Sequence, residues 1–261
     1  MIKSRANQSH AYRDFLIAWT SRIVRARYQQ SILGGLWAVI QPAATVAVFT
    51  IIFTRFIPVD TGEIPYVVFS YSAMVPWLLF SASITDMVES LVMNMNLVTK
   101  IFFPREILVL AALLARVFDF AIAFSILIVL IMVYRLPVLH IGWLFLPVIL
   151  AIQMALSLGL GLIGASLNVF YRDIKHMIGL GMQLWFYATP IIYPPTLVPE
   201  AWRSLYHLNP MVGVIESYRA VLLRGQLPST SLLISAALAA GILVAGYLFF
   251  RLVEHQFADV V

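Results

Sequence analysis

Long apolar runs alternate with short polar knots along this chain, and the runs have the length a bilayer demands of a helix. About 20 mostly apolar residues are needed to cross the hydrocarbon layer. Six stretches qualify or come close: Trp37–Phe56, Tyr66–Ile84, Ile107–Tyr134, Ile141–Leu167, Met177–Ile192 and Leu232–Phe250. The fifth is short, because Pro190 ends it early. Between it and the last run, Thr196 to Leu227 is moderately apolar but holds too many charges to span. The knot Tyr171, Arg172, Asp173, Lys175 and His176 separates the fourth run from the fifth. A polytopic membrane protein needs such a turn, since each span must end in water and charge marks the side on which it ends. The pattern predicts an all-α polytopic membrane protein with six transmembrane helices. It forms a single domain over 1–261, divided into 1–32 ahead of the spans, 33–192 for spans one to five, 193–228 outside, and 229–261 for the last span and tail.

Composition supports the same class. The chain is 62% hydrophobic and only 11% charged, where soluble domains carry about 25% charged residues. Its net charge of +5 is spread over span ends and forms no single stripe, so it sets topology and does not mark a nucleic-acid surface. With no cysteine, disulfides and thiolate metal sites are excluded. The start, MIKSRANQSHAYRDF, lacks an apolar signal core, so the first span is expected to be permanent. With six spans and the N-terminus inside, one side holds Lys3, Arg5, Arg13, Arg22, Arg25, Arg27, Lys100, Arg105, Arg172, Lys175 and Arg251. The other holds Arg55, Arg135, Arg203, Arg219 and Arg224. Eleven against five puts both termini in the cytosol.

Ahead of the first span, Tyr12, Phe15, Leu16, Trp19 and Ile23 recur at helical spacing, with Arg13, Arg22, Arg25 and Arg27 around them. This predicts a basic amphipathic helix in the cytosolic headgroup layer; a cap helix packed on another subunit is the alternative.

Catalytic chemistry is not indicated. Gly159-x-Gly161-x-x-Gly164 matches a dinucleotide fingerprint in letters only, since it lies inside an apolar helix with no preceding strand. Close helix packing explains it, with Gly161 and Ala165 as a small-xxx-small pair. No phosphate loop, HExxH or GxSxG sequence occurs, and the five histidines are scattered singly. Neither catalytic nor metal residues are expected. Arg116 and Asp119 lie one helical turn apart inside the third span, where a self-neutralising structural pair is favoured over a translocation role. Asp86 and Glu89 read as inner-boundary residues.

Three polar or aromatic regions carry sharper possibilities. The cytosolic loop Met93–Glu106 mixes Lys100 and Arg105 with Ile101, Phe102 and Phe103, and Pro104 can start the next helix. It is either a knob for a partner's apolar cleft or a loop folded back on the membrane. After Pro194, Asn209-Pro210 splits the chain into two amphipathic pieces, Pro199–Leu208 and Met211–Leu223. Re-entrant half-helices on the outer side are favoured over helices lying flat. Trp77, Phe80, Trp185, Phe186, Tyr187 and Tyr193 form either an interfacial belt or a track on which sugar faces slide.

Arg27-Tyr28, SILGGLWAVIQP at Ser31–Pro42, Pro76-Trp77 with Phe80, NVFYRDIKHMIG at Asn168–Gly179, TPIIYP at Thr189–Pro194 and Asn209-Pro210 occur in this order. Together they resemble the membrane permeases of ATP-binding-cassette exporters for O-antigen, teichoic acid and related polysaccharides. The resemblance covers nearly the whole chain. It implies a homodimer in the bacterial inner membrane, docked on two copies of a separate ATPase subunit in a 2+2 complex. ATP and magnesium would sit on that partner, with no cofactor in this chain and no nucleic acid involved. It implies an interface helix over 1–32 and ATPase coupling through Lys100, Ile101, Phe102, Phe103, Pro104, Arg105 and Glu106. Trp77, Phe80, Trp185, Phe186, Tyr187 and Tyr193 would be glycan-pore aromatics. Arg22, Arg25, Arg27 and Arg172 would meet the diphosphate of an undecaprenyl-linked polysaccharide. Pro199, Trp202, Tyr206, Asn209, Pro210 and Tyr218 would belong to outer gate helices. An exporter of drugs or small lipids on the same architecture remains an alternative. A polyprenyl-lipid membrane enzyme would need a cluster of acidic or His residues that the sequence does not supply, and a proton-coupled carrier would need unpaired midplane carboxylates, for which only Asp119, beside Arg116, is a candidate.

Overall fold

The computed structural model describes residues 2–29, 34–100, 103–137 and 140–258, so Ile101 and Phe102 lie outside the described residues. The chain forms ten helices there: α1 (Ile2–Gln29), α2 (Trp37–Ile51), α3 (Tyr66–Met93), α4 (Met95–Lys100), α5 (Glu106–Val133), α6 (Leu146–Phe170), α7 (Ile174–Tyr187), α8 (Glu200–His207), α9 (Pro210–Leu223) and α10 (Ser231–Val253). A π turn, Ile52–Phe56, extends α2, and a 3-10 turn, Glu254–Ala258, follows α10. No strand occurs among the described residues.

Five stretches are long and apolar enough to cross a membrane: Gly34–Phe56, Tyr66–Met93, Glu106–Val133, Ile141–Phe170 and Ser231–Phe257. The fifth of the six expected spans differs. α7 has 14 residues, about 21 Å at 1.5 Å per residue, against a hydrocarbon layer of roughly 30 Å. Proline explains the shortfall, because Pro190 supplies no amide and restricts Thr189 before it.

α3 is the axle. Its apolar window is 78% buried inside the protein, against 11% for the first span, so α2 hangs at the edge while α5, α6 and α9 close around α3. Missing side chains make this closeness possible. A Cβ on Gly159 would lie 2.7 Å from the Ile242 backbone of α10, and one on Gly246 would meet the Gly159 carbonyl at 2.3 Å. Gly161 and Gly164 face Met87 and Val88 of α3 in the same way. The fingerprint glycines are therefore packing surfaces on two faces of α6. Two side-chain amides add polar pins: Gln153 Nε2 donates to the Pro76 carbonyl at 2.7 Å, and Asn168 Nδ2 to the Val88 carbonyl at 3.0 Å.

The bundle has two distinct ends. At one, Tyr12 of α1, the start of α5 and the Glu254–Ala258 turn surround a common pocket, and Phe257 meets Phe170 at the end of α6. At the other, the starts of α3 and α10 meet α9 and the break after α7. Every residue of α9 except Glu216 is buried, whereas α8 buries none and leaves Trp202 and Leu205 exposed. α1 climbs along α5: Phe15 meets Phe103 near the start of α5, and Tyr28 meets Phe118 more than three turns further on. Of the apolar face expected in the headgroup layer, Phe15 and Trp19 pack against the protein itself. The basic side chains Arg13, Arg22 and Arg25 remain exposed.

Candidate functional site

Four charged side chains from three helices close into a ring beside α2. Arg116 Nε and Nη2 clasp Asp86 at 2.7 and 2.8 Å, and Arg116 Nη1 reaches Asp119 at 3.2 Å. Arg27 completes the circuit, donating to Asp86 at 2.8 Å and to Asp119. The Tyr28 hydroxyl also donates to Asp119. Two cations and two anions cancel, which satisfies the demand that ionised groups shielded from water be paired. The four side chains keep only 15–27% of their surface. Burial, followed by the bond to Asp119, pushes the Tyr28 hydroxyl up to about 12, so it stays a donor at neutral pH. Arg27, Arg116 and Asp119 border a cavity of about 390 Å³, whose walls include Trp37, Gln41, Leu79, Thr85 and Phe120.

At the opposite end, polar groups secure the irregular backbone between α7 and α9. Asn209 caps α9 by accepting from the Met211 amide at 3.0 Å; the same oxygen accepts from Trp185 Nε1 at 2.9 Å. Its amide nitrogen donates to Thr189 Oγ1 and the Ala188 carbonyl. The Tyr66 hydroxyl donates to the Ile192 carbonyl at 2.7 Å. Arg219 is wholly buried, donates to the Ile191 carbonyl at 2.9 Å, and stacks 3.6 Å above the Phe69 ring. Glu216 lies 3.4 Å from it. Backbone carbonyls that have left a helix need such donors when buried. Burial raises the Tyr206 hydroxyl well above its ordinary value, and that group donates to Tyr193 at 3.3 Å.

Between these ends runs a ladder of rings. Phe49 of α2 stacks on Phe186 of α7; Phe186 meets Trp77 edge-on at 5.9 Å, Trp77 meets Phe80, and Phe80 meets Trp185 at 5.2 Å. At the end where Tyr12 and the Glu254–Ala258 turn gather, Arg251 binds Glu106 and Glu254 at 3.0 Å each, and Arg105 donates to the Glu254 carbonyl. Among the described residues, no group of three His, Cys, Asp or Glu is placed to hold a metal ion. These arrangements tie neighbouring helices together.

Residues 15–223 match the family described as ABC-2 type transporter. The chain belongs to that family. As an ABC-2 protein it is 32% identical to the O-antigen export system permease protein RfbA of Myxococcus xanthus, over 96% of both chains. It is 28% identical to the RfbA of Klebsiella pneumoniae over 99% of both. Polysialic acid transport protein KpsM of Escherichia coli is 24% identical over 78% of this chain.

The structure redistributes several residues expected to act in this ABC-2 chain. Trp77 and Phe80 are buried within the ladder, because α3 is the central helix. Trp185 and Phe186 are half-buried with Tyr193, and Tyr187 is exposed. Arg27 is consumed by two aspartates, while Arg22, Arg25 and Arg172 stay exposed. In the Met93–Glu106 loop, Phe103 lies edge-on to Phe15, Arg105 turns to the C-terminal turn, and Glu106 is buried. Lys100 and Pro104 remain at the surface. Pro199 and Trp202 are exposed and Tyr206 half-buried, whereas Pro210 and Tyr218 are buried with α9. Asp86 and Arg219 were missed as site residues. Arg219 carries a sequence signal, an arginine three residues after Glu216 in an otherwise apolar helix.

Proposed function

We propose that this chain is the membrane half of an ATP-driven exporter that carries an O-antigen-type polysaccharide, linked to undecaprenyl diphosphate, across the bacterial inner membrane. The observation that carries this reading is the end-to-end likeness to permeases named for O-antigen export, over 96% of the chain in one case and 99% in another. The chain contains no phosphate loop, so hydrolysis falls to a separate ATPase, two copies of which dock on a homodimer of this chain. Tyr12, Arg105 and Glu254 gather around one pocket, which supports an even number of crossings with both termini in the cytosol. The five long spans and the passage through α7 then make six. Short α7 crosses with the help of the Ala188–Pro194 stretch, and α8 and α9 act as outer gate helices, α9 re-entering where it is wrapped in protein. α2 and α7 carry exposed apolar faces, among them Ile51, Leu180 and Leu184; these face the second protomer or lipid. Tyr187, at the open end of the ring ladder, is the side chain best exposed to touch passing sugars. Arg22, Arg25 and Arg172 are free to meet the diphosphate.

Deleting the gene tests the reading. Lipid-linked polymer should accumulate on the cytosolic face of the inner membrane and disappear from the cell surface. Surface polymer at the normal level in the deletion strain would reject it.

A further inference from the structure

The C-terminal turn is packed as a structural element rather than as a tail. Phe257 is fully buried and sits 5.6 Å from the Phe250 ring and 5.9 Å from that of Phe170. The Arg105 guanidinium lies 5.9 Å from the same ring and donates to the Glu254 carbonyl. The turn also packs directly against α4. Glu106, the first residue of α5, is held by Arg251 at 3.0 Å, and Arg251 in turn holds Glu254. Both ends of the segment that joins α3 to α5 therefore rest on the end of α10 and the Glu254–Ala258 turn. Together with Tyr12 of α1, Arg105, Glu106, Arg251 and Glu254 line a pocket of about 460 Å³.

We propose that the Glu254–Ala258 turn is a strut that fixes the ATPase-coupling segment, so that its exposed residues, Lys100 and Pro104, are presented at one angle to the partner. The inference rests on the reading that this segment docks an ATPase. A short segment with only a buried Val98 of its own in α4 has little to hold it against a partner that pushes on it. An anchored aromatic and a two-way arginine clasp supply the stiffness. Pre-ordering lowers the entropy lost on docking, so its loss weakens affinity while the maximal rate is kept.

The test uses full-length permease in proteoliposomes, titrated with its ATPase while ATP hydrolysis is followed. Phe257 cannot touch the ATPase, being wholly buried. Phe257→Ala should raise the half-saturating ATPase concentration about tenfold, with the maximal rate within about twofold of the original. Phe257→Leu, which refills most of the space, should bring the shift below about threefold. Lys100→Glu serves as the direct probe of docking. If it weakens half-saturation while Phe257→Ala lowers only the maximal rate, or changes nothing, the strut is refuted and docking stands. If Lys100→Glu is also without effect, the docking reading falls and the strut with it. Should Phe257→Ala fail to accumulate in membranes, Arg251→Gln, which removes the clasp on Glu106 and Glu254, takes its place under the same criteria.

Discussion

Replacing Asp119 by Asn changes the charge ring by one unit and almost no volume, which makes it the sharpest probe of how α1 is held. The carboxylate accepts from Arg27, Arg116 and the Tyr28 hydroxyl. Two of those donors belong to α1, so they bear on its attachment to α5, whereas the Arg116 bond is internal to α5. A hydrogen bond to a charged group contributes about 1.5–3 kcal/mol. The amide keeps one acceptor oxygen, and Arg27 keeps Asp86 at 2.8 Å. The ring is left with an uncompensated positive charge in a site where the aspartate is only 15% exposed. Together these changes weaken docking of α1 by about 2 kcal/mol. At 1.4 kcal/mol per factor of ten, α1 would open about 30 times more often. Trypsin reports this directly, because Arg22 and Arg25 are exposed on α1 but protected by its helical backbone. Release of the N-terminal fragment from purified permease should accelerate by about that factor. A paired change, Asp119→Leu with Arg27→Met, leaves the neutral Arg116–Asp86 clasp and should return most of the protection. Unchanged cleavage in Asp119→Asn would refute the ring as the tether of α1.

Further outcomes follow from other contacts. Gly246→Val would drive a side chain into the Gly159 carbonyl, 2.3 Å from its Cβ. It should destabilise the detergent-solubilised protein by about 3 kcal/mol or abolish its accumulation, read by thermal unfolding, while Gly241→Ala, in open space, should not. Asn209→Ala removes the α9 cap and the acceptor for Trp185, lowering stability by about 1–2 kcal/mol; the unfolding midpoint is again the measure. Arg219→Lys retains charge but loses the planar stack on Phe69. Export should fall several-fold with normal membrane levels of protein, measured as surface polymer per permease.

Much of the fold is legible because a bilayer allows so few solutions. Apolar runs locate the five long spans and the short α7, and Asn209-Pro210 marks the junction of α8 and α9 within a residue or two. Glycine spacing announces tight packing along α6, although not that Gly159 serves α10 while Gly161 serves α3. Charge pairing across helices is harder to read. The i, i+3 spacing exposes Arg116 with Asp119, but nothing local places Asp86 and Arg27 beside them, 30 and 92 positions from their partners. Arg219 reads as an outer-side charge on the half-helix Met211–Leu223, yet folding of α9 against α3 buries it completely. Aromatic residue type likewise says nothing about facing. Trp77 and Trp185 look equivalent in sequence, and only the central position of α3 sends the first inward.

The most direct test of the central claim is reconstitution. Purified permease would be placed in liposomes with its ATPase and a fluorescent undecaprenyl-diphosphate-linked glycan loaded on the ATPase side. Addition of ATP and magnesium should move the glycan to the opposite face, seen as protection from a glycosidase on the loading side; no movement should occur without the ATPase. Equal transfer by the permease alone, or ATP hydrolysis with no glycan movement, would contradict the account.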